Sequence, residues 1–116
     1  MNARTTLRLL FGAILVVMLA VTTRASLMQP VWEWQGLVTE PERWWTIATL
    51  ADAYCGFLTF YAWVFYKETR PAARFGWLLA ILLLGNIAMA FYVLQQLARL
   101  RDDEPVANLL LRAENR

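Results

Sequence analysis

The 116-residue chain has no histidine and a single cysteine, Cys55. Without histidine, the usual haem, zinc and copper sites lose their main ligand. A lone cysteine excludes an internal disulfide and leaves the redox compartment undecided. The sequence also lacks a glycine-rich phosphate loop, a pair of carboxylates inside an apolar run, and a Ser–His or Cys–His pairing. We therefore predict no metal, no cofactor and no catalytic residue, which makes an enzyme the less favoured class of function.

Charge is also scarce, since charged residues make up 17% of the chain and hydrophobic residues 59%. The 11 Lys and Arg lie between apolar blocks and do not form one stripe, so nucleic-acid binding has little support. A membrane-crossing helix needs about 20 predominantly apolar residues. The windows that meet this requirement are 7–28, 42–66 and 75–98. We predict an all-α integral membrane protein in which residues 1–116 form a single transmembrane domain of three helices.

The first window is interrupted by charge. Arg8 and Arg24 leave only 13 uninterrupted apolar residues, 9–21. That length also suits the core of a secretory signal peptide, followed by the small-residue sequence "TRAS". A retained helix is favoured because Arg24 can lay its aliphatic stem in lipid while its guanidinium reaches the interface.

The segments between the windows are short and rich in aromatic residues. Residues 29–41 form a predicted Trp-rich interfacial loop that contains Trp32 and Trp34. Thr39 and Glu42 fit a capping box, which predicts that the second helix begins near Glu40. The eight-residue turn "KETRPAAR" is short enough to make the second and third helices an antiparallel hairpin. Residues 99–116 are predicted to be a polar or amphipathic tail.

Aromatic and basic residues at helix ends predict how the helices sit in the bilayer. The predicted interfacial anchors are Trp44, Trp45, Trp63, Lys67, Glu68 and Trp77. Lys and Arg are nearly balanced between the two sides of a three-helix arrangement. Their density in the turn "KETRPAAR" favours a cytoplasmic N-terminus and an external C-terminus, in a bacterial-type cytoplasmic membrane.

Small and polar residues form a stripe along the second predicted helix. Thr49, Asp52, Gly56 and Thr59 follow one another at intervals of three, four and three, which places them on one helical face. Such a face, with bulky apolar residues opposite, is typical of a packing seam between membrane helices. A second stripe on the third predicted helix consists of Asn86, Met89, Val93 and Gln96. We expect the two stripes to meet.

Asp52 is the residue whose presence most needs a reason. A charged Asp at the centre of a membrane helix costs about 2.5–3.5 kcal/mol on insertion scales. A hydrogen-bonding partner offsets part of that cost, and protonation removes most of it. The candidate partners are Arg24, Thr49, Asn86 and Tyr92.

Three functions remain open at this stage. In the leading hypothesis the protein is a small interaction or scaffold subunit, whose Asp52 stripe binds its own copies or a larger membrane complex. In the second it is a small transporter or proton-handling protein, with the same stripe lining a wet cavity. In the third it is a lipid-modifying enzyme, with a lateral opening near Asp52 and Tyr54.

The segment "TLADAYCGFLTFYAWVFYKE", followed by "LLGNIAMAFYVLQQL", resembles the domain of unknown function 1475 family. Its bacterial and plant members are membrane proteins with a similar Thr-Leu-x-Asp-x-Tyr opening and a Trp-Val-x-Tyr-Lys-Glu ending. The resemblance covers residues 44–98 and implies a membrane fold and location, with no activity attached. It adds Asp52, Tyr54, Trp63, Lys67 and Glu68 as the residues on which a function would rest.

Overall fold

The computed structural model describes residues 2–115, which contain helices and no strand. The four α-helices are α1 (Ala3–Met28), α2 (Glu42–Lys67), α3 (Pro71–Leu84) and α4 (Asn86–Arg99). Short 3-10 turns occur at Val31–Glu33, Val106–Leu110 and Ala113–Asn115. The all-α prediction is therefore confirmed for the described residues.

Helices α1 and α2 are long and apolar enough to cross a membrane. Each has 26 residues, and at 1.5 Å per residue each is about 39 Å long, more than the roughly 30 Å of a bilayer's hydrocarbon core. The predicted windows 7–28 and 42–66 both fall within these helices. α1 begins at a polar cap, where the side chain of Asn2 accepts a hydrogen bond of 2.8 Å from the backbone N–H of Thr5.

The third predicted helix, 75–98, is wrong as a single span, because the chain breaks at Gly85. Its backbone has φ +54° and ψ −123°, a conformation that glycine alone adopts easily. The Gly85 N–H donates to the carbonyl of Ile81, and the Gly85 carbonyl accepts from the N–H of Met89. Gly85 thus ends α3 and begins α4 within one residue.

The break at Gly85 reverses the chain direction. The rings of Trp77 and Tyr92 lie 4.7 Å apart, whereas fifteen residues of continuous helix would separate them by about 22 Å. Helices α3 and α4 therefore form a hairpin, with Gly85 at its tip. Each arm has 14 residues and is about 21 Å long, too short to cross the hydrocarbon core.

The hairpin lies between the two long helices. α2 and α3 run antiparallel, since the Tyr61 hydroxyl donates to the Arg74 carbonyl at 2.7 Å and the Tyr54 hydroxyl to the Leu82 carbonyl at 3.0 Å. α4 returns alongside α1, where Leu7 and Phe11 pack against a buried cluster. The two buried clusters consist of Val64, Ile81, Ala88 and Tyr92, and of Val93, Leu97, Leu100 and Leu109. α1 is therefore an integral part of the fold.

Both ends of the described chain lie at the same end of the molecule. The guanidinium of Arg4 donates to the carbonyls of Arg101, at 2.8 Å, and Glu104, at 3.0 Å. Further along the tail, the Lys67 ammonium donates to the carbonyl of Leu109 at 2.5 Å. This contradicts the expectation that the termini lie on opposite sides, which followed from reading 75–98 as one span. The tail is packed against the helices, with Leu109 buried.

We call this the basic end, because most of the positive charge gathers there. Of the ten Lys and Arg in residues 2–115, eight lie at or near it: Arg4, Arg8, Lys67, Arg70, Arg74, Arg99, Arg101 and Arg112. Only Arg24 and Arg43 lie toward the opposite end, which we call the loop end. At the loop end α2 begins at Glu42, the first residue of the predicted window 42–66, and the predicted capping box is wrong, since no side-chain cap is formed there.

Candidate functional site

The Asp52 stripe lies on the outer face of α2. Thr49, Asp52, Gly56 and Thr59 are all exposed, as is the neighbouring Cys55. A methyl group added at Gly56 would meet nothing within 4 Å. The Thr59 hydroxyl donates to the carbonyl of Cys55 at 2.9 Å, so it is satisfied within its own helix. The stripe therefore presents a shallow surface with small side chains.

The Asp52 carboxylate makes no hydrogen bond or ion pair with any residue in the range 2–115. Arg24, the charged candidate partner, is exposed near the end of α1 and is likewise unpaired within that range. Tyr92, another candidate partner, donates its hydroxyl to Glu68. The hydroxyl of Tyr54, two residues after Asp52, donates to the Leu82 carbonyl. Within one copy of the chain, the structure brings none of the candidate partners to the carboxylate.

The second predicted stripe does not meet the first. Since α4 turns back at Gly85, Val93 and Gln96 are buried in the interior, while Asn86 is exposed beside the hairpin tip. Asn86 borders a shallow cleft against α1, together with Ile14 and Met18. The expected contact between the two stripes is therefore absent among the described residues.

The predicted anchors divide between the two ends. Trp44 and Trp45 are 60% and 81% exposed at the start of α2, which suits side chains at a headgroup boundary. Trp63 and Trp77 instead pack edge-to-face against Tyr92, with centroid distances of 5.5 and 4.7 Å. These two belong to the interior of the helix bundle.

Lys67 and Glu68 also face inward. The Lys67 side chain is buried, with its ammonium 5.4 Å from the centre of the Trp63 ring. One oxygen of Glu68 accepts a hydrogen bond of 3.1 Å from the Tyr92 hydroxyl. Lys67 therefore ties the end of α2 to the tail, and Glu68 ties it to α4, contacts that the prediction of interfacial anchors did not include.

A polar cavity of about 380 Å³ opens beside this pair at the basic end. Its charged lining residues are Lys67, Glu68, Arg99, Arg112 and Glu114, and Gln96 contributes an amide. The side-chain nitrogen of Gln96 is buried and has no hydrogen-bond partner among the described residues. Within residues 2–115, no group of three His, Cys, Asp or Glu side chains is arranged to hold a metal ion.

The model of a family described as "Protein of unknown function (DUF1475)" matches residues 3–115. The chain belongs to this family. No curated protein and no solved structure matches it. The family match extends well beyond the resemblance over 44–98 and includes α1 and the tail. Membership in DUF1475 assigns no activity.

The arrangement at the basic end is the feature of this DUF1475 chain that sequence reasoning missed. Gln96 was placed on a helix seam, but Arg99 and Arg112 were not connected with it or with Lys67. The available signal was the glycine at position 85, in the middle of an apolar run that is flanked by basic segments on both sides. A reversal at that glycine brings the flanking segments together.

Proposed function

We propose that the protein is a small integral membrane protein whose Asp52 stripe forms an interface with the same stripe of a second copy. The observation that carries this proposal is an exposed acid without a partner on a helix that is long and apolar enough to span a bilayer. If the charged side chain faces lipid near the helix centre, it raises the free energy of membrane insertion by about 2.5–3.5 kcal/mol. A neighbouring helix that supplies hydrogen bonds lowers the cost.

Two features of the stripe favour a second copy as the neighbour. Gly56 leaves room for close approach of another backbone, as small residues do in helix pairs within membranes. In a two-fold symmetric pair, the same patch faces itself, so Asp52 of each copy lies near the polar residues of the other. A carboxylic acid carries both a donor and an acceptor when protonated, so two such groups can bond to each other.

The proton-handling alternative needs the stripe to line a water-filled cavity. In one copy, Asp52 lies on the outer surface of α2, which supports the interface more directly.

Disulfide cross-linking tests the stripe as an interface. In a Cys55→Ala background, Thr49→Cys and Thr59→Cys are expected to give a disulfide-linked dimer in native membranes under mild oxidation, because Cα atoms across a tight seam come within about 7 Å. Ile47→Cys is the matched control, since it is exposed on the opposite face of the same helix. Equal cross-linking from Ile47→Cys, or none from either threonine position, would overturn the proposed dimer.

Substitution of Asp52 tests the acid itself. Asp52→Leu is expected to lower the association constant of the dimer about tenfold, because an interhelical polar contact in a membrane contributes roughly 1–2 kcal/mol at most. Asp52→Asn keeps a donor and an acceptor and is expected to dimerise nearly as well as the parent. Dimerisation is measured by cross-linking yield of the Thr59→Cys background across a dilution series in detergent.

We further propose that the protein lies in a bacterial-type cytoplasmic membrane with its basic end facing the cytoplasm. Eight basic residues at one end against two at the other give a strong bias under the positive-inside rule. α1 and α2 then span the membrane, and the α3–α4 hairpin enters and leaves on the cytoplasmic side. Both termini are cytoplasmic, and residues 29–41 lie outside.

Labelling of single cysteines tests this topology. With Cys55→Ala as the background, Thr5→Cys and Asn115→Cys are expected to react with a membrane-impermeant maleimide only in inverted vesicles. Trp32→Cys, whose parent side chain is 82% exposed, is expected to react only in right-side-out vesicles. Labelling of positions 5 and 115 from opposite sides would exclude the hairpin and restore a third full span.

A further inference from the structure

The cavity at the basic end combines positive charge with an unmatched donor. Lys67, Arg99 and Arg112 carry three positive charges against the two negative charges of Glu68 and Glu114. Glu114 lies 3.8 Å from Arg112, so these two charges offset each other. Glu68 accepts a hydrogen bond of 3.1 Å from the Tyr92 hydroxyl, and its single negative charge stands against the positive charges of Lys67 and Arg99. The cavity therefore favours an anion over a cation.

The Gln96 amide indicates what kind of group is missing. It is 3% exposed, and its nitrogen has no acceptor among the described residues. A buried donor without a partner costs free energy that an incoming acceptor oxygen recovers. Arg99 is exposed at the end of α4, and its guanidinium makes no hydrogen bond or ion pair within residues 2–115. The cavity thus pairs a guanidinium with an amide that lacks an acceptor.

The walls of the cavity are fixed by the fold. On one side, the Arg112 guanidinium donates to the Tyr66 carbonyl at 2.5 Å and stacks on the Tyr66 ring at 4.7 Å. On the other, Lys67 is held by the Leu109 carbonyl. Arg112 and Lys67 therefore lose little side-chain freedom when the cavity binds an anion.

We propose that this cavity binds a phosphate group. Phosphate offers several strong acceptor oxygens, which suits guanidinium and amide donors arranged around one space. Basic pockets between membrane helices on the cytoplasmic side are known to bind the head groups of anionic lipids. The phosphate comes either from such a lipid or from a soluble phosphate; only the lipid source depends on the membrane placement proposed above.

Thermal unfolding of the purified full chain in a neutral detergent tests the proposal. Short-chain phosphatidic acid and phosphatidylglycerol are compared with short-chain phosphatidylcholine and with inorganic phosphate. A ligand that binds only the folded state raises the melting temperature in a concentration-dependent way. A rise with the two anionic lipids alone assigns a lipid source, and a rise with inorganic phosphate assigns a soluble one. No rise with any of them overturns the proposal.

Two variants distinguish specific binding in the cavity from a non-specific attraction of anions to the basic end. Arg99→Gln is expected to weaken the apparent affinity about tenfold, as the loss of one hydrogen bond from a charged group does. Arg70→Gln removes the same charge at the same end but outside the cavity, and it is expected to leave the affinity within about twofold. An equal loss of affinity in both variants would show that the attraction is non-specific and would overturn the proposed site.

Gln96→Leu gives a readout that a purely structural role would not produce. The substitution removes the unmatched buried donor, so the ligand-free protein is expected to unfold at the same or a higher temperature. Its response to the phosphate ligand is expected to fall at the same time. A variant that is less stable without ligand but responds normally to it would show that Gln96 serves packing alone. Neither result depends on dimerisation or on the labelling test.

Discussion

Gly85→Ala is expected to destabilise the protein strongly, because position 85 is unfavourable for an L side chain in two ways. The backbone at φ +54° and ψ −123° lies in a region that essentially only glycine occupies, and such strain costs about 1–3 kcal/mol. A methyl group there would also lie 2.7 Å from the Phe57 ring of α2. Overpacking of this kind typically costs a further 1–3 kcal/mol.

Gly76→Ala is the matched control for this substitution. Gly76 lies in the middle of α3, and an added methyl group would meet nothing within 4 Å. Alanine is a better helix former than glycine by about 1 kcal/mol in soluble helices, so this variant is expected to be as stable as the parent or more stable. Unfolding by a denaturing detergent, followed by tryptophan fluorescence, compares the two. Similar unfolding curves for both variants would mean that the turn at Gly85 does not hold the fold together.

The double variant Phe57→Leu with Gly85→Ala separates the two causes. The smaller side chain opens space beside position 85 but leaves the backbone strain in place. We expect Gly85→Ala to cost less stability in the Phe57→Leu background than in the parent, but still to cost some. The reference for the double variant is Phe57→Leu alone. Full recovery would assign the whole effect to the contact with the Phe57 ring.

Hydropathy predicted the two long helices within a few residues of their observed bounds. Windows 7–28 and 42–66 correspond to α1 and α2, because an apolar run of that length has few other stable arrangements. The same reasoning failed for 75–98. A window average is insensitive to the direction of the chain, and glycine is common enough in membrane helices that Gly85 alone does not indicate a reversal.

The Asp52 stripe shows what spacing can and cannot predict. The intervals between Thr49, Asp52, Gly56 and Thr59 correctly placed the four residues on one face of α2, where all are exposed. Spacing within one helix contains no information about which element lies opposite. The expected contact with the stripe of Asn86 and Gln96 does not form. After the turn at Gly85, Gln96 is buried in the interior and Asn86 is exposed beside the hairpin tip.

The cavity at the basic end depends on contacts between distant parts of the sequence. Lys67, Gln96 and Arg112 come from the end of α2, the end of α4 and the tail. Their proximity requires the hairpin to return to the end from which it started. The prediction of one continuous helix over 75–98 would instead separate Lys67 from Arg112 by the length of that helix.

Tyr92→Ala is expected to be the other strongly destabilising substitution, because Tyr92 joins three helices. Its ring is fully buried and contacts Phe60 and Trp63 of α2 and Trp77 of α3 edge-to-face. Its hydroxyl donates to Glu68 at the end of α2. Removing a large buried aromatic side chain costs about 3–5 kcal/mol in soluble proteins. The cavity left behind borders both arms of the hairpin.

Phe91→Ala is the control for truncation of an aromatic residue at the neighbouring position. Phe91 is 53% exposed, so its removal is expected to cost much less than the loss of Tyr92. Tyr92→Phe keeps the ring and removes only the hydrogen bond to the Glu68 carboxylate, which is expected to cost about 1.5–3 kcal/mol. Unfolding in a denaturing detergent is expected to give the order parent, Tyr92→Phe, Tyr92→Ala from most to least stable. If Tyr92→Ala proves as stable as Phe91→Ala, the hairpin does not depend on the aromatic cluster, and its position between the long helices rests on the turn at Gly85 and the contacts of the tail.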